Sequence, residues 1–249
     1  TLASSISMSG GTLDADNSLT VSGTLTQSGA ITIDVLADKT LTYTGTAIGL
    51  GANTLTLSGG GSLVSGGLTL NDASSKLLLN SITVDSVSTS EDSLGLDVDA
   101  DSTVTSLSVA NITPVAIAGG SILSGAITVT AGSIKLAETG TLASSISMSG
   151  GTLDADNSLT VSGTLTQSGN ITIDVLTDKT LTYSGTAISL GANTLTLSGG
   201  GTFSNTNALV LNDENSLLSL AGILTIGDVE GTAASNTGKG IQVSSSATL

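Results

Sequence analysis

The sequence predicts an all-β fold, a single right-handed parallel β-solenoid of elongated shape with about 20 residues per coil. Three observations lead there: a long internal repeat, a short apolar–polar–apolar rhythm inside it, and a near absence of aromatic and helix-forming residues. Each carries a separate part of the prediction.

The long repeat sets the organisation. Thr1–Gly10 recurs from Thr141, and between 1–60 and 141–200 only four positions differ. These are Ala30/Asn170, Ala37/Thr177, Thr44/Ser184 and Gly49/Ser189, mostly exchanges between small residues. Further on the copies diverge but still align. Leu68-Thr-Leu-Asn-Asp72 matches Leu209-Val-Leu-Asn-Asp213, and Gly95–Asp99 matches Gly240–Ser244, so the offset between copies grows along the chain. Insertions have therefore entered connecting turns, where chain length is least constrained. The chain reads as one continuous solenoid over 1–249, with a full unit at 1–140 and a partial copy at 141–249.

The short rhythm sets the strands. Leu19-Thr-Val21, Ile31-Thr-Ile33, Leu41-Thr-Tyr43, Leu55-Thr-Leu57, Leu68-Thr-Leu70, Ile82-Thr-Val84, Leu96-Asp-Val98 and Ile127-Thr-Val129 all alternate with period two. Between them lie Ser-Gly, Gly-Gly, Asn-Asp and Ala-Asp-Asn, which is turn chemistry. A sandwich would draw on more aromatic side chains and on strands of distinct character. Here Tyr43, Tyr183 and Phe203 are the only aromatics, and the strands are nearly identical. Stacked coils suit such strands, and the full unit at 1–140 makes about seven of them.

Composition then bounds function. Twenty Asp and Glu against five Lys give a formal charge of −15. Phosphate neutralisation needs clustered Lys and Arg, so no nucleic-acid partner is expected. No run of about 18 apolar residues occurs, so no direct membrane insertion is expected. Regular Leu, Ile and Val argue against disorder, and the absence of Cys rules out disulfides and thiolate metal sites.

The run from Ser18 to Gly61, "SLTVSGTLTQSGAITID…TLTYTGTAIGLGANTLTLSGGG", resembles the passenger and stalk regions of bacterial autotransporter adhesins and filamentous-haemagglutinin-like proteins. The resemblance is one of style over the whole chain, without a specific motif. It implies a β-helix displayed at the bacterial cell surface, hence an extracellular location.

Parallel β-helices also include polysaccharide lyases and hydrolases, which resemble one another in pairing acids with Arg, Lys or His. This chain has no His and no Arg, so the usual proton shuttle and carboxylate clamp are missing. A carboxylate pair could still hydrolyse a glycoside, but three aromatics are too few for sugar platforms. The expectation is a non-enzyme without cofactor: a structural or adhesive spacer or filament-forming segment. The alternative is a ligand-binding adhesin module with weak calcium sites.

The calcium candidates are Asp97, Asp99 and Asp101. Alternation with Leu94, Leu96, Val98 and Ala100 would place all three carboxylates on one outward face. The pattern falls short of a calcium loop, since Ser102 stands where Gly is needed and Ser108 where a bidentate Glu is needed. Gln242, Ser244 and Ser246 replace the three acids in the second copy, so the reading is a solvated acidic face with at most weak calcium. Asp14-Ala-Asp16-Asn17 and its twin from Asp154 read as Asx-rich corners. Thr24/Thr26, Thr40/Thr42/Thr44 and Thr54/Thr56 are spaced too irregularly for a single ice-binding array. Leu249 aligns with Val104, part-way through a unit, so both ends read as unfinished. The expected partner is therefore more of the same: further repeats of a longer chain, or copies stacked end to end.

Overall fold

The computed structural model describes residues 1–222, 225–226, 229–231 and 240–243, and these form stacked parallel β-coils. Among the described residues there is no helix. The chain runs through three lines of strands per coil, which we call the first, second and third faces. The first face is one twelve-stranded parallel sheet, from Thr12–Ala15 through Lys76–Asn80 and Ser133–Leu136 to Gly240–Val243. Successive strands on it pair one coil apart, as in Thr12↔Thr32, Lys76↔Gly95 and Ile31↔Leu55. At a strand separation of ~4.8 Å the stack is roughly 50 Å tall.

The second face runs from Leu19–Val21 to Thr225–Ile226, and the third from Ile6–Met8 to Val229–Gly231. In the middle of the stack they merge. Thr83–Thr89, Ser102–Val109 and Ile122–Val129 each cover both faces as a single longer strand. Two residues, not one, separate the apolar positions Val84 and Val87, and likewise Val104 and Leu107, so the pleat slips at the bend. Gly125 completes the bend in the third of these strands, with φ of 120° and a virtual Cβ only 1.8 Å from the Val104 carbonyl oxygen. No other residue fits there without moving the coil beneath.

The alternation read from the sequence decides what is buried. Ile31, Leu55, Leu77, Leu96, Val115, Leu136, Ala155 and Val175 stack in register as one buried column. Ile33, Leu57, Leu79, Val98 and Ile117 form a second beside it. Each aliphatic side chain packs on its counterparts above and below, which is why a thin core needs no large rings.

The two copies fold alike. Strands at 12–15, 31–35, 40–43 and 54–58 recur at 152–155, 171–175, 180–183 and 194–198, with the same registers. Their local devices recur as well. Tyr43 and Tyr183 are buried, and each hydroxyl accepts the N–H of Leu25 or Leu165 at 3.0 Å. Gln27 and Gln167 donate Nε2 to the carbonyls of Leu50 and Leu190, spanning third-face coils whose strands do not pair. Asn71 and Asp72, like Asn212 and Asp213, form inter-coil corners that hold Gly51 N–H, Gly191 N–H and the buried hydroxyls of Ser75 and Ser216.

Two outcomes test this architecture. Leu77→Ala should lower unfolding free energy by about 2–5 kcal/mol in denaturant titration, as for other fully buried leucines. Tyr183→Phe strands the Leu165 N–H and the Thr186 carbonyl, to which the hydroxyl donates at 2.8 Å. It should cost about 1–3 kcal/mol. A change within error in either variant would contradict the packing described.

Candidate functional site

Charge is not spread evenly around the coil. Strands of the first face carry Asp14, Asp34, Lys76, Asp97, Asp99, Lys135, Asp154 and Asp174. On the other two faces, the described strands hold only Asp85 and Glu230. The remaining described charges sit at corners. The acidic candidates from the sequence therefore lie on one side of the molecule, but they are not brought together as expected.

Asp97 points outward from Gly95–Ala100 and pairs with Lys76 on the coil below at 2.5 Å. Asp99 is the extra residue of a β-bulge, because Leu79 pairs with Val98 and Asn80 with Ala100. Asp101 lies past the strand at the corner, where its carboxylate accepts the Ile122 N–H at 2.9 Å. The regular alternation thus fails at both ends. Leu94, expected inside, is 53% exposed, because Gly95, the first residue of the strand, turns the chain with φ of 81°. One carboxylate is on the strand face, one in a bulge and one at a corner. Among the described residues, no three Asp, Glu, His or Cys groups converge on one point. Gln242 occupies the second-copy strand, while Ser244 and Ser246 lie outside the described residues.

Asp101 does border an open groove of about 260 Å³ at the corner between first and second faces. Ser81, Thr83, Thr103, Ile122 and Ser124 line it too. Thr103 and Ser124 share a hydrogen bond of 2.7 Å, and Ser124 also reaches the Ser102 carbonyl. The groove offers hydroxyls and one carboxylate, which already accepts a backbone N–H.

The densest charge cluster is one that the sequence reading took for a corner. Lys135 pairs in register with Asp154, which pairs with Asp174, which pairs with Ser198. The Lys135 ammonium lies 3.4 Å from both Asp154 and Asp156, and the Ser198 hydroxyl donates to Asp174. Ser58 donates to Asp34 in the same way in the first copy. Burial, then Asp156, push the Asp154 carboxyl above its ordinary value, Lys135 pulls it down, and Asp174 adds a smaller upward push. Attraction to Asp154 and then Asp156 raises the lysine in turn. For Asp154, desolvation and like charge outweigh the lysine. The signal that sequence reasoning missed is spacing: Lys135 precedes Asp154 by a single coil.

The third face also went unread. Thr69, Ser88, Ser108, Thr128, Ser147 and Thr166 stack in register over six consecutive coils. The Thr pairs singled out in the sequence scatter instead, with Thr40 and Thr42 on the second face and Thr54 and Thr56 on the first.

No protein-family profile, no curated protein and no solved structure matches this chain.

Two measurements check the electrostatics. Calorimetric titration with calcium should show no site tighter than about 0.1 mM at Asp97, Asp99 and Asp101; a sub-micromolar site would reverse that reading. For Asp154, a folded pKa above the unfolded value means the ionised group opposes folding at neutral pH. That opposition fades as pH falls through the folded value towards the unfolded one, in the ordinary carboxylate range. Lys135→Met should shift the Asp154 titration to higher pH in carbon-detected NMR. A downward shift would mean the lysine does not neutralise it.

Proposed function

We propose that this chain is a non-catalytic structural segment, a rigid spacer or filament-forming part of an extracellular protein at a bacterial cell surface. The observation that carries the reading is the unbroken twelve-stranded ladder of the first face. A parallel stack joined by backbone hydrogen bonds along its axis resists stretching and bending. Nothing in its duplicated sequence requires a unique site. The lack of His and Arg supports a non-catalytic role. The charge of −15, held mostly at one side and its corners, supports solubility and argues against nucleic acid and anionic lipid as partners. Partners of this kind would be further coils, from the same polypeptide or a stacked copy, continuing the parallel ladder.

A second reading is a ligand-contacting adhesin module assisted by weak calcium binding. The groove beside Asp101 supports it, since it sits at the corner of the acidic side.

Electron microscopy of the native material separates these readings. The structural role predicts rods or filaments, with a ~4.8 Å axial repeat in diffraction from aligned samples. Isolated compact particles, or cleavage of polysaccharide by the purified chain, would overturn it.

A further inference from the structure

Residues 1–29 and 141–169 are identical in sequence, yet their first coils sit in different settings. Leu142, Ile146, Met148 and Leu153 are buried beneath Ile122–Val129 and Ser133–Leu136 of the coil before them. Their counterparts at the edge of the stack are less covered: Leu2 is 37% exposed, and Ile6, Met8 and Leu13 are half-buried. Polar groups repeat the contrast. The buried Ser144 hydroxyl donates to the Leu123 carbonyl, and Asn157 Nδ2 to the Ala137 carbonyl, both at 3.3 Å. Ser4 and Asn17, the same residues in the first copy, are exposed. The N–H groups of Ala143, Ser149, Thr152 and Asp156 bond to carbonyls of that same covering coil, residues 119–140.

Charge adds a demand that an apolar fit alone does not meet. Asp14 stacks in register on Asp34, as Asp154 does on Asp174, so like charges lie one strand spacing apart. In the second copy Lys135 lies against Asp154 and Asp156. Among the described residues no lysine pairs with Asp14 or Asp16.

We propose that the edge formed by residues 1–21 is a docking surface selective for one coil, that of residues 119–140, carried directly ahead of Thr1 as Gly140 is ahead of Thr141. In the spacer reading above, on which this rests, any coil could continue the ladder. The Asp14 edge narrows the choice. The fitting coil sets aliphatic side chains over Leu2, Ile6, Met8 and Leu13, as Leu123, Ile127, Val129 and Ile134 stand over the second copy. It also sets a lysine against Asp14 and Asp16, as Lys135 stands against Asp154 and Asp156. A coil without that lysine would cover Asp14 while leaving it only the like charge of Asp34. Lys135 therefore decides which coil joins a repeat unit.

Hydrogen exchange tests this on the 249-residue chain with a second copy of residues 119–140 fused ahead of Thr1. Identical sequence makes the second copy an internal reference for the first. In the unextended chain, amides of residues 6–8 and 12–15 should exchange faster than those of residues 146–148 and 152–155. The added coil should slow them about tenfold or more, to the pace of the second copy. Lys135→Glu in the added coil alone should remove most of that gain. Absence of slowing would overturn the proposal, and so would equal slowing by the Lys135→Glu coil. So would protection that appears in the unextended chain on concentration, since a second copy's far end would then be the occupant. Rods in the microscope beside an unslowed first coil would defeat the docking and leave the spacer reading standing. Circular dichroism checks that the extended chain folds. Should it not, a synthetic peptide of residues 119–140 added to the unextended chain is read by the same exchange, with slowing expected and its absence overturning.

Discussion

Each strand hydrogen-bonds to the strand one coil before and one coil after it, and this parallel ladder governs the rest of the molecule. Because the ladder is in register, like stacks on like: Leu55 on Leu77 on Leu96 inside, Thr152 under Thr172 under Thr196 outside. An aliphatic column satisfies this rule at no electrostatic cost, and a hydroxyl column at little. A charged column does not, because identical charges one strand spacing apart repel. The chain meets that difficulty at Asp154 and Asp174 by placing Lys135 below the pair and the Ser198 hydroxyl above it.

Corners answer a different demand. Where the ladder is interrupted, backbone groups need partners that the coils do not supply. The Tyr183 hydroxyl, the Gln167 amide and the Ser216 hydroxyl each take the place of a missing ladder bond. Their first-copy equivalents Tyr43, Gln27 and Ser75 do the same. Most polar residues buried in this fold sit at turns or strand ends, Thr113 being the exception, fully buried within its strand in register with Ile134. The two tyrosines owe their place to a hydrogen bond as much as to ring volume, which explains why so few aromatics suffice.

Strand positions were legible because period-two alternation needs only local sequence. The corners at Asn71-Asp72 and Asn212-Asp213 were legible because their side chains make local bonds. The division into three faces was not. In Val84-Asp-Ser-Val87 and Val104-Thr-Ser-Leu107 no Gly, Pro or Asn marks the bend, and only a two-residue gap between apolar positions records it. The acidic run misled for a related reason. Leu94 to Asp101 alternates in sequence, but Gly95 and the bulge at Asp99 break the pleat on either side of Asp97. The Lys135 cluster and the hydroxyl columns depend on neighbours about 20 residues away. Such neighbours emerge only once the length of each coil is known.

Those lengths vary. Lys76 and Gly95 are partners on successive coils, and so are Ile31 and Leu55 with a longer stretch of chain between them, yet each coil adds one strand to the first face. Extra residues go sideways into corners and contribute nothing along the axis. Reach is therefore counted in coils and is indifferent to how many residues each contains. A gene that duplicates the long unit lengthens the product by a whole number of steps, seven between Thr12 and Thr152, and the new end matches the old one in register. Point insertions at corners can diversify the surface of such a protein without altering its span.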